Sequence, residues 1–336
     1  MLEHQKARDF FPRGLSQPPG SFRFSADALL LAAFAARLAG ELAAGPVDRL
    51  SAGKATGEGY GQAAGLPPID SGGRALLDLG CGCGVVGLGF MLLRPEYTAL
   101  GLDLQPELIL AARQNAALLG LEAGYRAREV DLRQLHSARQ LADAVNLPPS
   151  RRQNELNAAK CNSFEHFQPG SFRLVTANPP YRKPGSGRLP VSPARRLALF
   201  GDAETLDAFV RVASLSLAPG GLFCLIFSLS REKELHKILL KHELAPAHRL
   251  EISGKEGQPP EWLLMSAVRL KDAGAGSAVT WPDVSDFPER LCLRRSQTNR
   301  SDHTGNTDGL SRIDELTPEA LRFCPFLACN ARPSYR

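Results

Sequence analysis

A strand, a glycine-rich loop and a helix follow one another between residues 75 and 93, and this unit constrains the fold more than any other feature of the sequence. The run Ala75–Leu79 is short and apolar, as a buried strand is. Three of the next five residues are glycines, and the helical run Val85–Leu93 follows them. A strand that enters a helix through such a tight turn is typical of parallel α/β sheets with a ligand at the carboxyl ends of their strands.

The same alternation continues along the chain. Short apolar runs predict seven strands, and amphipathic or apolar stretches between them predict helices. Because strand–helix–strand order places helices on both faces of a parallel sheet, the sequence predicts an α/β fold with a doubly wound, mostly parallel, seven-stranded sheet. The predicted strands are 75–79, 97–103, 125–130, 172–177, 222–229, 248–253 and 262–270, with the last two expected as edge strands.

Composition divides the chain into parts around this sheet. An Ala/Leu-rich helix is expected to begin at Ser25, and two stretches are too polar or too rich in Gly and Pro for regular structure. Beyond Lys271 the apolar pattern decays, and only a short helix at 317–323 is expected there. The expected parts are an N-terminal segment with its helix at 1–43, a flexible insertion at 44–73, a main domain at 74–270 with a polar, irregular insertion at 133–169, and a loosely ordered tail at 271–336.

Several classes of protein are excluded by simple counts. The most apolar stretch, 28–36, has nine residues, against about 20 for a membrane-spanning helix. The seven cysteines follow neither a disulfide framework nor a zinc-ligand spacing. We therefore expect a cytoplasmic protein with reduced thiols, no metal site, no membrane partner and no obligate protein partner. The formal net charge of +5 permits a nucleic-acid partner.

The loop after the first strand limits the class of ligand. Its glycines let a ligand approach the backbone closely, because a Cβ would occupy that space. A dinucleotide-binding motif needs its third glycine at the place of Val85, and a phosphate loop needs Gly-Lys-Ser/Thr, which does not follow here. A carboxylate before the loop suits a ligand with an ammonium or sulfonium group. The loop residues expected to bind this ligand are Asp78, Gly80, Gly82 and Gly84.

Two further acids end neighbouring strands of the predicted sheet. Asp103 stands 23 residues after Gly80, where an acid accepts hydrogen bonds from the hydroxyls of a ribose in nucleotide-binding folds. Asp131 ends the third strand, where a carboxylate can accept a hydrogen bond from the amino group of an adenine. With Asp78, three acids at three strand ends and no cation for a phosphate predict a pocket for S-adenosylmethionine.

The fourth predicted strand ends in Asn178-Pro179-Pro180-Tyr181. Since prolines donate no ladder hydrogen bonds, the chain must leave the sheet here, with the Asn178 side chain and the Pro179 carbonyl aimed at one point. Two such acceptors would hold both protons of an –NH2 group and direct its lone pair elsewhere, while Tyr181 offers a face for stacking. This tetrad predicts methylation of an amino nitrogen that is conjugated to a ring or a carbonyl.

These motifs resemble the class I S-adenosylmethionine-dependent methyltransferases of the amino-nitrogen branch, which have a Rossmann-like fold, over roughly residues 22–270. Within the branch, the chain is similar to bacterial enzymes that methylate N6 of adenosine 37 in tRNA1(Val), because of the segments 22–31 and 181–188. The resemblance implies catalysis by the tetrad, with Asn178 and Tyr181 holding the target adenine. It also implies a cofactor site that includes Asp103, Leu104, Asp131, Leu132 and Asn178.

A basic segment follows the tetrad and favours RNA as the partner. It carries five positive charges and no acid, and Lys and Arg supply most of the nonspecific affinity for phosphates. An enzyme that takes one base must hold that base unstacked from its neighbours. The residues expected to bind RNA, most specifically tRNA, are Arg182, Lys183, Arg188, Arg195 and Arg196.

Three alternatives to the methylation of adenine N6 are left open. Methylation of a glutamine amide in release factors is chemically equivalent, but those enzymes carry a helical substrate-binding domain for which the segment before Asp78 is too short. Methylation of guanine N2 in rRNA usually goes with Phe at the place of Tyr181. A catalytically silent RNA-binding protein predicts decay of the tetrad or the glycine loop, and neither has decayed.

Overall fold

Eight strands form the central sheet of the computed structural model, which describes residues 2–21, 23–43, 74–146, 168–181, 192, 201–271, 289–298 and 312–330. The spatial order is β3-β2-β1-β4-β5-β7-β6-β8. Strands β1 to β5 pair in parallel, β7 is antiparallel to both of its neighbours, and β8 is parallel to β6. The bounds are β1 Ala75–Leu79, β2 Thr98–Asp103, β3 Tyr125–Glu129, β4 Phe172–Ala177, β5 Leu217–Ser228, β6 Leu244–Ser253, β7 Trp262–Arg269 and β8 Arg290–Cys292.

Helices cover both faces of this sheet, which confirms the predicted doubly wound, mostly parallel arrangement. Side chains alternate across a strand, so Leu76 belongs to the core under α2, α3 and α4, while Leu77 belongs to the core under α5, α6 and α7. The bounds are α1 Leu2–Asp9, α2 Ala26–Ala43, α3 Val85–Leu93, α4 Pro106–Leu118, α5 Ala138–Asn146, α6 Ala203–Ser216, α7 Glu232–Lys241, α8 Pro318–Phe323 and α9 Leu327–Asn330, with 3-10 turns at Leu132–Gln134 and Leu229–Arg231.

The strand order reverses between β1 and β4, and this reversal determines where a ligand can bind. Strand β1 pairs with β2 on one side and with β4 on the other, with Leu79 opposite Ala177. The glycine loop starts directly after Leu79, and Asn178 starts directly after Ala177. Both predicted motifs therefore leave the sheet side by side, at the edge where open α/β sheets bind their ligands.

Some details of the predicted sheet are wrong. The sheet has an eighth strand, β8, and the expected edge position of the last two predicted strands is not observed, because β7 lies inside the sheet and β6 pairs with β8. The burial of β7 gives the reason: the side chains from Leu263 to Ala267 have no exposed surface, and a strand covered on both faces is mostly apolar rather than alternating. Helix α1 is a further element, which was not predicted from the sequence.

Two segments expected to be irregular contain regular structure. Within 133–169, helix α5 buries Leu141 and Val145, one turn apart, although its composition is polar. In the tail, strands β9 (Arg294–Thr298) and β10 (Arg312–Leu316) form an antiparallel pair. The predicted short helix is confirmed as α8. Helices α8 and α9 pack on α2 through the buried tail residues Ala320, Phe323, Cys324 and Leu327.

The structure leaves other expectations outside its described residues. These are the 44–73 insertion, the 147–167 part of the second insertion, and the basic residues Arg182, Lys183, Arg188, Arg195 and Arg196. Among the helices that are described, none combines the length and the apolar character needed to span a membrane.

Candidate active site

The loop between β1 and α3 is built on three glycines with left-handed backbone conformations. Their φ angles are 65° at Gly80, 55° at Gly82 and 88° at Gly84, a region that L side chains rarely adopt. At Gly80 space is limiting as well, because a Cβ there would lie 2.9 Å from the ring of Phe209 on α6. The sequence therefore needs glycine here for backbone conformation and, at Gly80, for close packing.

Asp103, at the end of β2, holds the glycine loop in place. Its Oδ2 accepts a hydrogen bond from the backbone N–H of Gly82 at 2.9 Å, and its Oδ1 accepts one from the backbone N–H of Gln105, also at 2.9 Å. The carboxylate is buried, and this burial raises its pKa above the ordinary value. A carboxylate in this position presents its remaining acceptor capacity to the cavity that it lines.

Two residues beneath the loop, Gly101 and Tyr125, were not predicted from the sequence. A Cβ at Gly101 in β2 would lie 2.6 Å from Sγ of Cys81 and 2.8 Å from the hydroxyl oxygen of Tyr125. Tyr125, on β3, is buried and also lies close to Gly84 and Gly87. The loop therefore rests on a tyrosine ring, and only glycines leave room for that ring.

The structure places Asp78 away from the cavity, although its position before the glycine loop predicted contact with the ligand. Asp78 is buried in β1, and its Oδ2 accepts a hydrogen bond from the backbone N–H of Gly87 at 3.1 Å. Its Oδ1 accepts one from Oγ1 of Thr176 at 2.9 Å. Asp78 thus ties β1 to the first turn of α3 and to β4. The described residues that line the cavity include neither Asp78 nor Gly84.

Burial of Asp78 predicts a pH-dependent stability. Desolvation raises its pKa from 3.8 to about 7 in the folded protein, so the folded state binds a proton that the unfolded chain has lost between these pH values. The free energy of unfolding should therefore fall by about 2–3 kcal/mol between pH 5 and pH 8 from this group. Asp78→Asn can still accept from Gly87 and donate to Thr176, and it should remove this part of the dependence.

Urea unfolding of both proteins at pH 5 and pH 8 measures this difference. Because other acids contribute equally to both proteins, the comparison isolates Asp78. An equal decline in wild type and in Asp78→Asn would contradict the assignment.

The tetrad after β4 faces the cavity and meets a residue from α2. Asn178, Pro179, Pro180 and Tyr181 all line the cavity. Nδ2 of Asn178 donates a hydrogen bond to Oδ2 of Asp27 at 3.1 Å. Asp27 was not among the predicted site residues, and the signal available in the sequence was an acid directly before the apolar run 28–36.

A buried arginine supports the backbone that follows the tetrad. Nη1 of Arg231 donates to the carbonyl of Tyr181 at 3.1 Å and to the carbonyl of Gly201 at 3.0 Å. Its other nitrogens bond to both carboxylate oxygens of Glu234 at 2.9 and 2.6 Å. A Cβ at Gly201 would collide with the carbonyl oxygen of Pro180. Arg231 therefore fixes Tyr181 and holds the two residues that flank 182–200.

Asp131 also lines the cavity, where its carboxylate is hydrogen-bonded to Arg133. Nε of Arg133 donates to its Oδ1 at 2.9 Å and Nη2 donates to its Oδ2 at 2.8 Å. These bonds hold the pKa of Asp131 below its ordinary value. Arg133 is half-exposed and also lines the cavity, so an adenine amino group at Asp131 would share the carboxylate with this guanidinium.

Most of the predicted site residues therefore line one cavity. Its predicted members are Gly80, Gly82, Asp103, Leu104, Asp131, Leu132 and the tetrad 178–181, and its unpredicted members include Phe24, Asp27, Cys81, Cys83, Gln105, Arg133, Thr205 and Phe209. Of the described lining residues, three are carboxylates and one, Arg133, is basic. A glycine cradle with this excess of negative charge fits a ligand that carries positive charge and a ribose, as S-adenosylmethionine does.

Known proteins resemble this chain over its central part. Residues 70–168 match a family model described as a methyltransferase domain. The release factor glutamine methyltransferase of Rhodospirillum rubrum is 28% identical over 205 residues, which cover 57% of this chain and 52% of that protein. The tRNA1(Val) (adenine(37)-N6)-methyltransferase of Photorhabdus laumondii is 23% identical over 208 residues, which cover 62% of this chain and 72% of that protein.

The chain thus spans about half the length of the first of these relatives. Among solved structures, a predicted O-methyltransferase of Agrobacterium tumefaciens superposes with a TM-score of 0.44 at 15% identity, over 89% of this chain and 96% of that one.

Proposed function

We propose that the chain, which matches a methyltransferase domain over residues 70–168, uses S-adenosylmethionine to methylate the exocyclic N6 of an adenine in RNA, most specifically A37 of a tRNA of the tRNA1(Val) type. The observation that carries the proposal is the position of the tetrad. Asn178 and Tyr181 line the same cavity as Gly80 and Gly82, at the ends of the paired strands β1 and β4. An amino group and a methyl donor would meet there.

The residues that hold the cofactor in this proposal surround the glycine loop. Asp103 accepts hydrogen bonds from the ribose, Asp131 accepts one from the adenine amino group, and Leu104 and Leu132 pack against the adenosine. Gly80 and Gly82 let the amino-acid end of the cofactor approach the backbone. When bound there, S-adenosylmethionine supplies a methyl group on a positively charged sulfur.

The tetrad binds and orients the target base. Oδ1 of Asn178 and the carbonyl oxygen of Pro179 accept the two protons of the amino group, and Tyr181 stacks on the ring. These hydrogen bonds favour the tetrahedral form of a nitrogen whose lone pair is otherwise delocalised. No general base is needed before the attack, since the proton can leave the nitrogen after the carbon–nitrogen bond has formed.

Charge supports RNA as the substrate. The five basic residues between 182 and 196 follow the tetrad in sequence, and the chain as a whole has a net charge of +5. Arg231 bonds to Tyr181 and Gly201, the residues that flank this segment. The tRNA substrate named for one relative is a further support. The cytoplasmic location expected from the sequence is consistent with a tRNA substrate.

Methylation of a glutamine side chain in release factors is the second candidate. It is favoured by the 28% identity to an enzyme with that name. The amide nitrogen of glutamine is also conjugated, and it would offer the same two protons to Asn178 and Pro179. What separates the two candidates is the shape and charge of the substrate, because the chemistry at the tetrad is the same.

Transfer of a labelled methyl group from S-adenosylmethionine tests both candidates in one experiment. Total tRNA that lacks the modification and purified release factors are offered separately, and the products are identified by mass spectrometry after digestion. N6-methyladenosine in tRNA is the expected product, and Asn178→Ala serves as the matched control with strongly reduced turnover. Label in a release factor with none in tRNA would overturn the RNA assignment in favour of the second candidate.

A further inference from the structure

We infer that Asp27 is a positioning residue for the reaction, which turns the side-chain amide of Asn178 so that its oxygen faces the substrate. The inference rests on the proposed function only in taking Asn178 as the acceptor for the substrate amino group. It holds equally for an adenine and for a glutamine. Asp27 is not part of the tetrad, and 151 residues separate it from Asn178 in sequence.

The geometry around Asp27 is that of a carboxylate set into the wall of the cavity. Asp27 stands in the first turn of α2, is 4% exposed and lines the cavity. Its Oδ2 accepts the hydrogen bond from Nδ2 of Asn178 at 3.1 Å, while its Oδ1 accepts one from Oγ of Ser25. Both carboxylate oxygens are therefore engaged, and one of them is engaged by the reactive tetrad.

The chemistry of the partners makes this contact directional. A carboxylate has only acceptors, whereas an amide has an acceptor at one end and a donor at the other. The two ends of the Asn178 amide are nearly equal in size, so packing alone distinguishes them poorly. Asp27 distinguishes them, because only the NH2 end can bond to a carboxylate. The oxygen must then point away from Asp27.

This orientation decides whether the tetrad can bind an amino group. With Oδ1 of Asn178 available, a substrate –NH2 finds an acceptor there and a second one at the carbonyl of Pro179. If the amide were rotated by half a turn, its NH2 group would face the substrate NH2 group, donor against donor. That arrangement leaves a donor without an acceptor where the substrate is bound, which is costly.

Helix α2 holds Asp27 firmly enough for this role. Its residues from Leu29 to Ala35 are almost completely buried. The tail packs on its outer side, where Sγ of Cys324 donates to the carbonyl of Leu29 at 3.4 Å and Nη2 of Arg37 donates to the carbonyl of Arg322 at 2.9 Å. These contacts of the tail stabilise α2, the helix that carries Asp27.

A purely structural role for Asp27 predicts different behaviour. An acid in the first turn of a helix interacts favourably with the helix dipole, and this effect needs neither a cavity nor Asn178. Glu107 offers the matched control, because it is an exposed acid in the first turn of α4 and does not line the cavity. Glu107→Ala should keep its turnover within about twofold of wild type.

The experiment compares Asp27→Ala, Asp27→Asn and Glu107→Ala in the full-length protein. Asp27→Ala should lower kcat roughly ten- to a hundredfold through misorientation of the amide, while the Kd for S-adenosylmethionine changes less than about threefold. Asp27→Asn should fall between Asp27→Ala and wild type, because its amide can pair with Asn178 in either orientation. Adding Asp27→Ala to Asn178→Ala should lower the residual activity no further.

Two results would overturn the inference. An unchanged kcat in Asp27→Ala would show that the amide is oriented without Asp27. A Kd that rises as much as kcat falls would show that Asp27 holds the cofactor instead.

A readout that needs no substrate separates this inference from the proposed function. The side-chain amide of Asn178 gives two proton signals in a nitrogen-15 spectrum, assigned by their loss in Asn178→Ala. The proton that donates to Asp27 should be shifted downfield, and in Asp27→Ala this shift should disappear. Unchanged amide signals would overturn the inference even if tRNA is methylated. A lost shift would support it even if neither tRNA nor a release factor is the substrate.

Discussion

Replacement of Asn178 by alanine should lower kcat for methyl transfer by roughly 10²–10³-fold, while the Kd for S-adenosylmethionine stays within about threefold of wild type. In the proposed mechanism Asn178 supplies one of two acceptors for the amino group, and the loss of one preorganised polar partner typically has an effect of this size. The cofactor depends instead on Asp103 and the glycine loop, which the substitution leaves in place.

The value of kcat is measured by methyl transfer at saturating cofactor. The Kd is measured by calorimetric titration with S-adenosylmethionine. Stability is the necessary control, and Asn178→Ala should unfold within a few degrees of wild type, because Asn178 stands at the cavity and, among the described residues, its side chain bonds only to Asp27. Equal losses in turnover and in cofactor affinity would refute the role assigned to Asn178 as an acceptor for the substrate.

Replacement of Asp103 by alanine should weaken the binding of S-adenosylmethionine and leave kcat at saturating cofactor nearly unchanged. It removes a buried carboxylate that bonds to the backbone at Gly82 and is proposed to accept the ribose hydroxyls. A hydrogen bond to a charged group contributes about 1.5–3 kcal/mol, so the Kd for S-adenosylmethionine should rise roughly 10- to 150-fold. At saturating cofactor kcat should recover most of its wild-type value, because the tetrad is unchanged.

Asp143 on α5 provides the comparison, since its side chain is 71% exposed and it does not line the cavity. Asp143→Ala should bind S-adenosylmethionine as wild type does. An unchanged Kd in Asp103→Ala would mean that another acid holds the ribose, with Asp131 as the next carboxylate along the cavity.

The unit 75–93 was predictable because its signals are local. A run of apolar residues, three glycines and a second apolar run specify strand, turn and helix with little help from the rest of the chain. The common location of the glycine loop and the tetrad was predictable as well. Both follow strands of one parallel sheet, and the carboxyl ends of such strands lie at the same edge. The predicted residues at these strand ends are therefore largely the ones that line the cavity.

The surroundings of the Asp78 side chain could not be predicted from neighbouring residues in the sequence. Its position before the loop suggested contact with the ligand, but alternation along β1 sends Leu77 and Leu79 to one core and Asp78 to the opposite face of the sheet. There it meets Gly87 and Thr176 rather than the cavity. The tail shows the same limit, because α8 and α9 acquire a buried face by packing on α2, and α8 packs on β8 as well.

By itself, the sequence determined the class of sheet, the glycine loop and the tetrad, because each depends on residues that are close together along the chain. Only the tertiary structure decided which side chains complete the site: Asp27 beside Asn178, Tyr125 beneath the loop, and Arg231 behind Tyr181. These contacts join residues that are distant in sequence. A hydrogen bond or a packed ring across such a separation leaves no periodic pattern, so it becomes visible only when the strands have paired and the helices have docked.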